Sequence, residues 1–338
     1  MKYKRIVFAE PCVAKLIDFE LNDPANGEVQ VRLAVSSLSS GTERANLTGS
    51  KTVSCFQPDL KEAIFPRYSG YSSAGVIEKV GEGVSDFHVG DRVALCWSKH
   101  SEVWNVSVNN LCRIDDISFE DAALFNIATF PLAAIRKCRT EIGESAIVMG
   151  MGVLGIVALQ LLRAAGATPV IAVDPDPIKR EKALQCGADY AFDPYSPTFA
   201  QDVKEVTDGG ANVGIEVTGI GAGLNGILDC MARFGRVALL GCTRSSDFNV
   251  DYYRKVHGPG ITLVGAHTMA RPGNDSSGGW WTQQDDMNAL VKLTKTGRIA
   301  LSAVVDETCS PADAPEVYTR LVNEKSFPIV QFDWRRLS

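Results

Sequence analysis

The chain has 338 residues, 45% of them hydrophobic and 22% charged, with a formal net charge of −6. That length exceeds one small core and predicts two domains of ordinary globular composition. The acidic balance, with no run of Lys and Arg, excludes a nucleic-acid surface, and no apolar stretch is long enough to span a membrane.

The opening Met1-Lys2-Tyr3-Lys4-Arg5 leads straight into a strand-like run and carries no signal-peptide pattern, so a cytoplasmic protein is expected. The first ~120 residues read as β-rich, with short Val/Ile runs at 29–35, 74–80 and 92–96. Turn signals at Asp23-Pro24-Ala25-Asn26-Gly27 and Gly81-Glu82-Gly83 bound them. From about Glu120 the texture alternates: a helical stretch at 120–139, a strand at 145–149, a helix at 153–165 stopped by Gly166. A strand at 170–173 and a helix at 177–186 stopped by Gly187 come next, and later strands fall at 213–217, 236–240 and 262–264. Such alternation implies an α/β, doubly wound parallel sheet with right-handed crossovers. Beyond Arg271 a Gly- and Ser-containing loop reaches Trp280-Trp281, a helix runs to about Thr296, and 303–305 reads as a strand. A last helix and strand fill the tail to Trp334.

The cysteines, at 12, 55, 96, 112, 138, 186, 230, 242 and 309, are odd in number and form no C-x-x-C. They read as small buried hydrophobes in a reducing compartment.

The most specific signal is Ala146-Ile147-Val148-Met149-Gly150-Met151-Gly152-Val153-Leu154-Gly155. An apolar strand runs into G-x-G-x-x-G and a helix opens behind it. Asp174 stands about 20 residues further on, closing the next strand. Each part suits a dinucleotide. Gly150 permits the turn, Gly152 lets the backbone approach a pyrophosphate, and Gly155 lets helix and strand pack closely. The helix start at Val153 and Leu154 presents N–H groups to phosphate. Asp174 accepts from a ribose diol and repels a 2′-phosphate, which favours NAD; Lys179 and Arg180 lie one helical turn further on.

Other landmarks extend over nearly the whole chain. Ser40-Gly41-Thr42-Glu43 stands where zinc alcohol and polyol dehydrogenases carry Cys-Gly-Thr-Asp, and Gly70-Tyr71-Ser72-Ser73-Ala74-Gly75 stands where they carry Gly-His-Glu-x-x-Gly. The turns at 80–84 and 89–93, Glu216-Val217-Thr218-Gly219 and Leu240-Gly241 also match. The chain resembles the medium-chain dehydrogenase/reductase (alcohol dehydrogenase-like) superfamily. That resemblance implies a β-rich GroES-like catalytic domain over 1–120, a Rossmann NAD-binding domain over 121–270 and a return to the catalytic domain over 271–338. It adds Thr218, Gly241 and Ala266 to the cofactor-binding set and implies a homodimer or homotetramer acting on a small molecule.

The departures are as informative as the matches. The metal-ligand positions of the zinc enzymes hold Ser40, Tyr71, Ser72 and Asn126, and the cysteine lobe is reduced to Cys96 and Cys112. Neither zinc of the family can be assembled from these donors, so no metal is expected. The closest likeness is to a zinc-lacking branch similar to bacteriochlorophyllide dehydrogenase-like and sugar-linked dehydrogenases.

Without a Lewis acid, side chains must manage the substrate proton. Thr42 matches the hydroxyl that relays it in zinc relatives, or caps a turn. Tyr71 is a phenolic donor if a cation such as Arg67 lowers its pKa, or a packing residue. Glu43 pairs with Arg44 or Arg67, or acts as a base. His267 ends the last strand of the nucleotide domain, where the resemblance brings backbone near nicotinamide. His100 is either a further candidate or a surface histidine. Trp280 and Trp281 offer aromatic faces to a ring-shaped substrate, or pack. Ser40, Ser72, Asn126 and Trp280 form the expected substrate pocket. The expected activity is NAD-dependent interconversion of a secondary alcohol (a sugar, cyclitol or polyol hydroxyl) and its ketone. An NAD(P)H-dependent enone or quinone reductase, or an inactive nucleotide-binding member, is the alternative.

Overall fold

The computed structural model describes residues 2–52, 62–243 and 248–337, and Cys55 lies outside them. Two units emerge from the packing. The first comprises Met1–Ile127 with Leu301–Ser338, and the second Ala128–Ala300. The division therefore falls later than the expected positions 120 and 270, and Gln283–Lys295, expected in the returning segment, is a helix of the second unit.

Unit one is a β structure with few helices. An antiparallel hairpin, Lys2–Glu10 with Val13–Glu20, accompanies a larger sheet. Among the described residues that sheet runs Glu307–Cys309, Val330–Asp333, Glu28–Ser37, Ser72–Val80, Arg92–Cys96, Leu111–Arg113, and Val103–Ser107 also pairs with Glu28–Ser37. The β-branched and leucine residues Val29, Val31, Leu33, Ile77, Val93 and Leu95 are all buried against Phe8, Tyr318 and Phe332. At ~25 cal/mol per Å² such burial is the main favourable term in folding. A short helix, Ser40–Leu47, opens directly after the central strand and buries Glu43 and Leu47.

The expected strand at 303–305 is instead a 3₁₀ turn, Leu301–Val304. Asp121 accepts from the Ser302 amide at 2.7 Å and Val305 N–H bonds back to Ser302 O at 3.1 Å, which curls the backbone before Glu307–Cys309 can pair. Likewise the helical stretch at 120–139 splits into Phe119–Ala122 and Phe125–Lys137.

In unit two the described strands form one parallel sheet in the order Tyr190–Phe192, Val170–Val173, Ala146–Met149, Ala211–Glu216, Met231–Leu239, Thr262–Gly265. Ala146–Met149 is central, and the chain winds outward from it first to one side and then to the other. Its carboxyl end is therefore the topological switch point, where open α/β sheets bind ligands. All four of its residues are buried, as are the four of Val170–Val173, which explains their unbroken apolar sequence.

Candidate active site

At the switch point the glycines do what their positions demand. Gly150 has φ +102°, in the left-handed region. A Cβ on Gly155 would lie 1.8 Å from Gly150 O, so helix Val153–Ala164 and its strand meet only because that side chain is absent. Gly152 differs: a Cβ there meets nothing within 4 Å, and it caps the helix with no side-chain hydrogen bond. Packing does not require a glycine at 152, whereas a phosphate lying over the helix N-terminus does.

Asp174 is buried, and its carboxylate accepts from the amides of Met151 at 2.8 Å and Asp176 at 2.9 Å. It thus fastens the glycine turn to the end of the second strand. Arg180 is held away from the carboxylate by the carbonyls of Asp174 at 2.7 Å and Pro175 at 2.9 Å, with Asp193 at 3.5 Å. Lys179 is half-buried beside it. Across the switch, burial raises the Glu216 carboxyl, which accepts from Thr218 N at 2.9 Å, Gly219 N at 3.0 Å and the Thr218 hydroxyl. Gly241 and Ala266 continue this rim through backbone bonds to Glu216 O at 2.8 Å and Leu239 O at 3.2 Å. The residues present fit a dinucleotide.

His267 Nδ1 accepts from Met269 N at 3.1 Å, and burial followed by the charge of Lys137 lowers its pKa. Lys137 donates to Gly265 O at 3.3 Å and lies 5.0 Å over the ring of Trp280, while Arg136 stacks 3.5 Å over Trp281. Each tryptophan therefore already carries a cation on its ring.

Unit one contains a polar network that the sequence does not reveal. Glu43, 1% exposed, accepts from Ser39 N at 2.9 Å, His100 Nε2 at 3.1 Å, Ser69 Oγ at 3.4 Å and the Tyr318 hydroxyl. On the far side of His100, Nδ1 lies 2.7 Å from Ser36 Oγ, which accepts from Trp334 Nε1 at 2.9 Å. A carboxylate only accepts, so the hydrogen of Nε2 faces Glu43, and because indole N–H only donates, the Ser36 hydrogen is free to point at Nδ1. Burial, then the Glu43 charge, raises the Tyr318 phenol well above its ordinary value and keeps it a donor.

The expected pairing of Glu43 with an arginine is thus corrected. Arg44 turns away to Leu321 O at 2.8 Å, and Arg67 donates to Ile64 O at 2.9 Å, Asn46 O at 3.3 Å and Ser50 O at 3.1 Å. Backbone carbonyls satisfy both guanidinium groups. His100 is buried completely and is no surface residue.

Of the pocket candidates, Ser72 donates to Ala123 O at 2.6 Å, and Asn126 donates its amide to Tyr71 O. Both side chains hold strand Ser72–Val80 against the neighbouring helical segment. Ser40, Thr42 and Tyr71 are half-buried, and the Tyr71 ring lies 6.1 Å from that of Trp97. Sequence reasoning did not select Tyr318 or Ser36. Burial pushes the Cys112, Cys138 and Cys230 thiols up to about 12, as expected for inert packing groups.

Two family models match the chain, "Alcohol dehydrogenase GroES-like domain" over residues 26–131 and "Zinc-binding dehydrogenase" over residues 153–276. The chain belongs to the medium-chain alcohol dehydrogenase superfamily. It is 25% identical over 339 residues to the D-guloside 3-dehydrogenase of Shigella flexneri, covering 95% of this chain and 96% of that protein. To the (R,R)-butanediol dehydrogenase of Bacillus subtilis it is 30% identical over 182 residues, covering 46% of this chain and 53% of that one. The benzyl alcohol dehydrogenase of Acinetobacter calcoaceticus shares the fold, with a TM-score of 0.84 at 18% identity over 98% of this chain and 99% of that chain. As a member of this superfamily the chain is an oxidoreductase. Among the described residues no helix is long and apolar enough to cross a membrane.

Proposed function

We propose that this chain is a zinc-independent, NAD-dependent dehydrogenase that interconverts a secondary alcohol and its ketone, the alcohol being a hydroxyl of a sugar, cyclitol or polyol. The observation that carries the metal-free part is the donor set at 40, 71, 72 and 126. Catalytic zinc is bound by thiolate, imidazole or carboxylate. Here those positions offer two serines, a phenol and an amide, and Ser72 and Asn126 spend their polar atoms on backbone groups. The family model whose description mentions zinc spans 153–276 and includes none of the four.

Bound NAD would supply the hydride acceptor. Gly150, Gly152, Gly155 and the first turn at Val153 and Leu154 would hold its pyrophosphate, and Asp174 its adenosine ribose. Thr218, Gly241 and Ala266 form the remaining rim. Asp174 would face that ribose while Arg180 is bound to the carbonyls of Asp174 and Pro175, which supports NAD over NADP. Of the site candidates in unit one, Ser40, Thr42 and Tyr71 are half-buried, and Thr42 would relay the substrate proton. The full-length likeness to D-guloside 3-dehydrogenase supports a hydroxylated ring substrate.

The test is a panel of glycosides, free sugars, cyclitols and polyols assayed for nicotinamide reduction, before and after prolonged chelation. Turnover of at least one panel member with NAD, unchanged by chelation, is expected. Activity that collapses with the chelator and returns with zinc refutes the metal-free reading. Reduction of enones or quinones alone refutes the alcohol reading.

A further inference from the structure

Three helices of unit two, Phe125–Lys137, Val153–Ala164 and Gln283–Lys295, stop short of one another. Between them lies an open cleft of about 860 Å³, a volume in the range of small-molecule sites. Every residue that lines it belongs to unit two. The second and third helices each turn one stripe to the cleft, at i, i+3, i+4 spacing. These are Leu161, Ala164 and Ala165 on one, and Ala289, Lys292 and Leu293 on the other. Leu132 and Ile135 of the first helix complete an apolar floor. The space stays open because methyl groups stand at 164, 165 and 289, where longer side chains would fill it.

The remaining wall is a fastened loop. Ser277 and Trp280 exchange backbone hydrogen bonds at 2.8 and 2.9 Å around Gly278-Gly279, the form of a two-residue hairpin turn. Gly279 has φ +78°, and a Cβ there would lie 3.2 Å from Arg136 O. Ser276 Oγ accepts from Thr282 N at 2.9 Å, which ties the loop to the start of helix Gln283–Lys295. Trp281, between these fastenings, packs its ring 3.5 Å from the Arg136 guanidinium.

Charge around this apolar floor is one-sided. Arg136, Arg139 and Lys292 line the cleft with one acid, Glu141. Arg136 shares the buried Asp286 with Arg271. Arg139 and Lys292 form no ion pair among the described residues; Lys292 acts through space on Asp285, which is already bonded to Ser276 and Thr282. Arg139 follows its helix with φ +50°, its N–H bonding back to Arg136 O at 2.9 Å. Glycine is the favoured residue in that left-handed position, so a guanidinium is kept on the cleft lining at a conformational cost.

We propose that this cleft binds an amphipathic carboxylate, a small molecule with its hydrocarbon body on Leu132, Ile135, Leu161 and Leu293 and its anionic head at Arg139 and Lys292. The proposal goes beyond the dehydrogenase reading and does not depend on it. The floor accepts any hydrocarbon, and the cationic rim selects the anion. The cleft is distinct from the glycine turn, since Leu161 lies about 12 Å along its helix from Val153 at ~1.5 Å per residue.

The experiment titrates the full chain with decanoate by calorimetry, beside acetate, which lacks the tail, and decyltrimethylammonium, which reverses the charge of the head. Expected is saturable binding of decanoate with a Kd below about 1 mM, and binding of the other two weaker by about tenfold or more. Arg139→Glu combined with Lys292→Glu should weaken decanoate about tenfold or more. Both side chains are exposed, so that variant should melt like the parent. Ala289→Phe fills the cleft and should weaken decanoate equally. Decanoate that fails to bind, or that binds the parent and the folded charge-reversal variant alike, overturns the proposal. Equal affinity for the cationic detergent does so too. So does a dimer in ultracentrifugation that binds no decanoate and that the charge reversal dissociates, since a second copy would then be the occupant.

Discussion

Asp174→Asn tests the nucleotide site where its geometry is most explicit. The carboxylate accepts from Met151 N–H at 2.8 Å and Asp176 N–H at 2.9 Å. A carboxylate has about four lone-pair positions, so about two remain for a ribose diol while the glycine turn stays fastened. Asparagine keeps the shape but turns one oxygen into a donor. Either an amide hydrogen then faces it, or the diol loses its acceptor. A hydrogen bond to a charged group contributes about 1.5–3 kcal/mol, so NAD should bind about 10- to 150-fold more weakly. NADP should respond differently, because the substitution also removes the negative charge that repels a 2′-phosphate. Its affinity is expected to fall less, or to rise, narrowing the preference for NAD by about tenfold or more. Titration of both cofactors by intrinsic fluorescence, with circular dichroism to confirm folding, reads both effects. NAD affinity unchanged within about twofold refutes the reasoning, as does tighter binding of NADP to the parent protein.

Two glycines of the same turn are predicted to separate folding from binding. Gly152→Ala should unfold like the parent, because its methyl group meets no protein atom, and yet bind NAD about tenfold or more weakly because that methyl occupies phosphate space. Gly155→Ala should lower stability, since its Cβ would fall 1.8 Å from Gly150 O; thermal melts of the two variants that coincide would refute the distinction. A third prediction concerns Asp286, fully buried between Arg136 at 2.8 Å and Arg271 at 3.5 Å, where burial outweighs both cations and pushes the carboxyl up from 3.8 to about 6. The folded state then holds the proton more tightly than the unfolded chain. Its contribution to stability is full below about pH 4 and falls by roughly 3 kcal/mol as pH rises through about 6. Asp286→Asn should remove that decline relative to the parent, as read by urea unfolding across the window; parallel pH dependences in the two proteins would contradict it.

The parts of this structure legible in the sequence are those set by local rules. Gly150, Gly155 and the apolar runs at 146–149 and 170–173 are readable because a positive φ, a close approach and two-sided burial each leave few residue choices. The Glu43 network was not readable. Its donors come from Ser39, Ser69, His100 and Tyr318, and no pattern of spacing links them. Charge alone nominated Arg44 and Arg67, which backbone carbonyls claim instead. The turn at Leu301–Val304 was misread as a strand because its apolar run resembles one, while the Asp121 cap that bends it is 181 positions away.

Unit one begins at Met1, breaks off at Ile127 and resumes only at Leu301. On the ribosome this imposes an order. Ala128–Ala300 is a contiguous stretch, complete before the last part of unit one is made, and domains generally fold as units as they emerge. Strand Glu28–Ser37 must wait for Val330–Asp333 to pair along its edge. Glu43 waits equally long, since the Tyr318 hydroxyl that reaches its carboxylate lies 275 positions downstream. Until then the chain carries a half-solvated anion and an open sheet edge. Non-local contacts of this kind slow folding, so unit one is expected to mature after unit two, once the segment from Leu301 onward is available to close it.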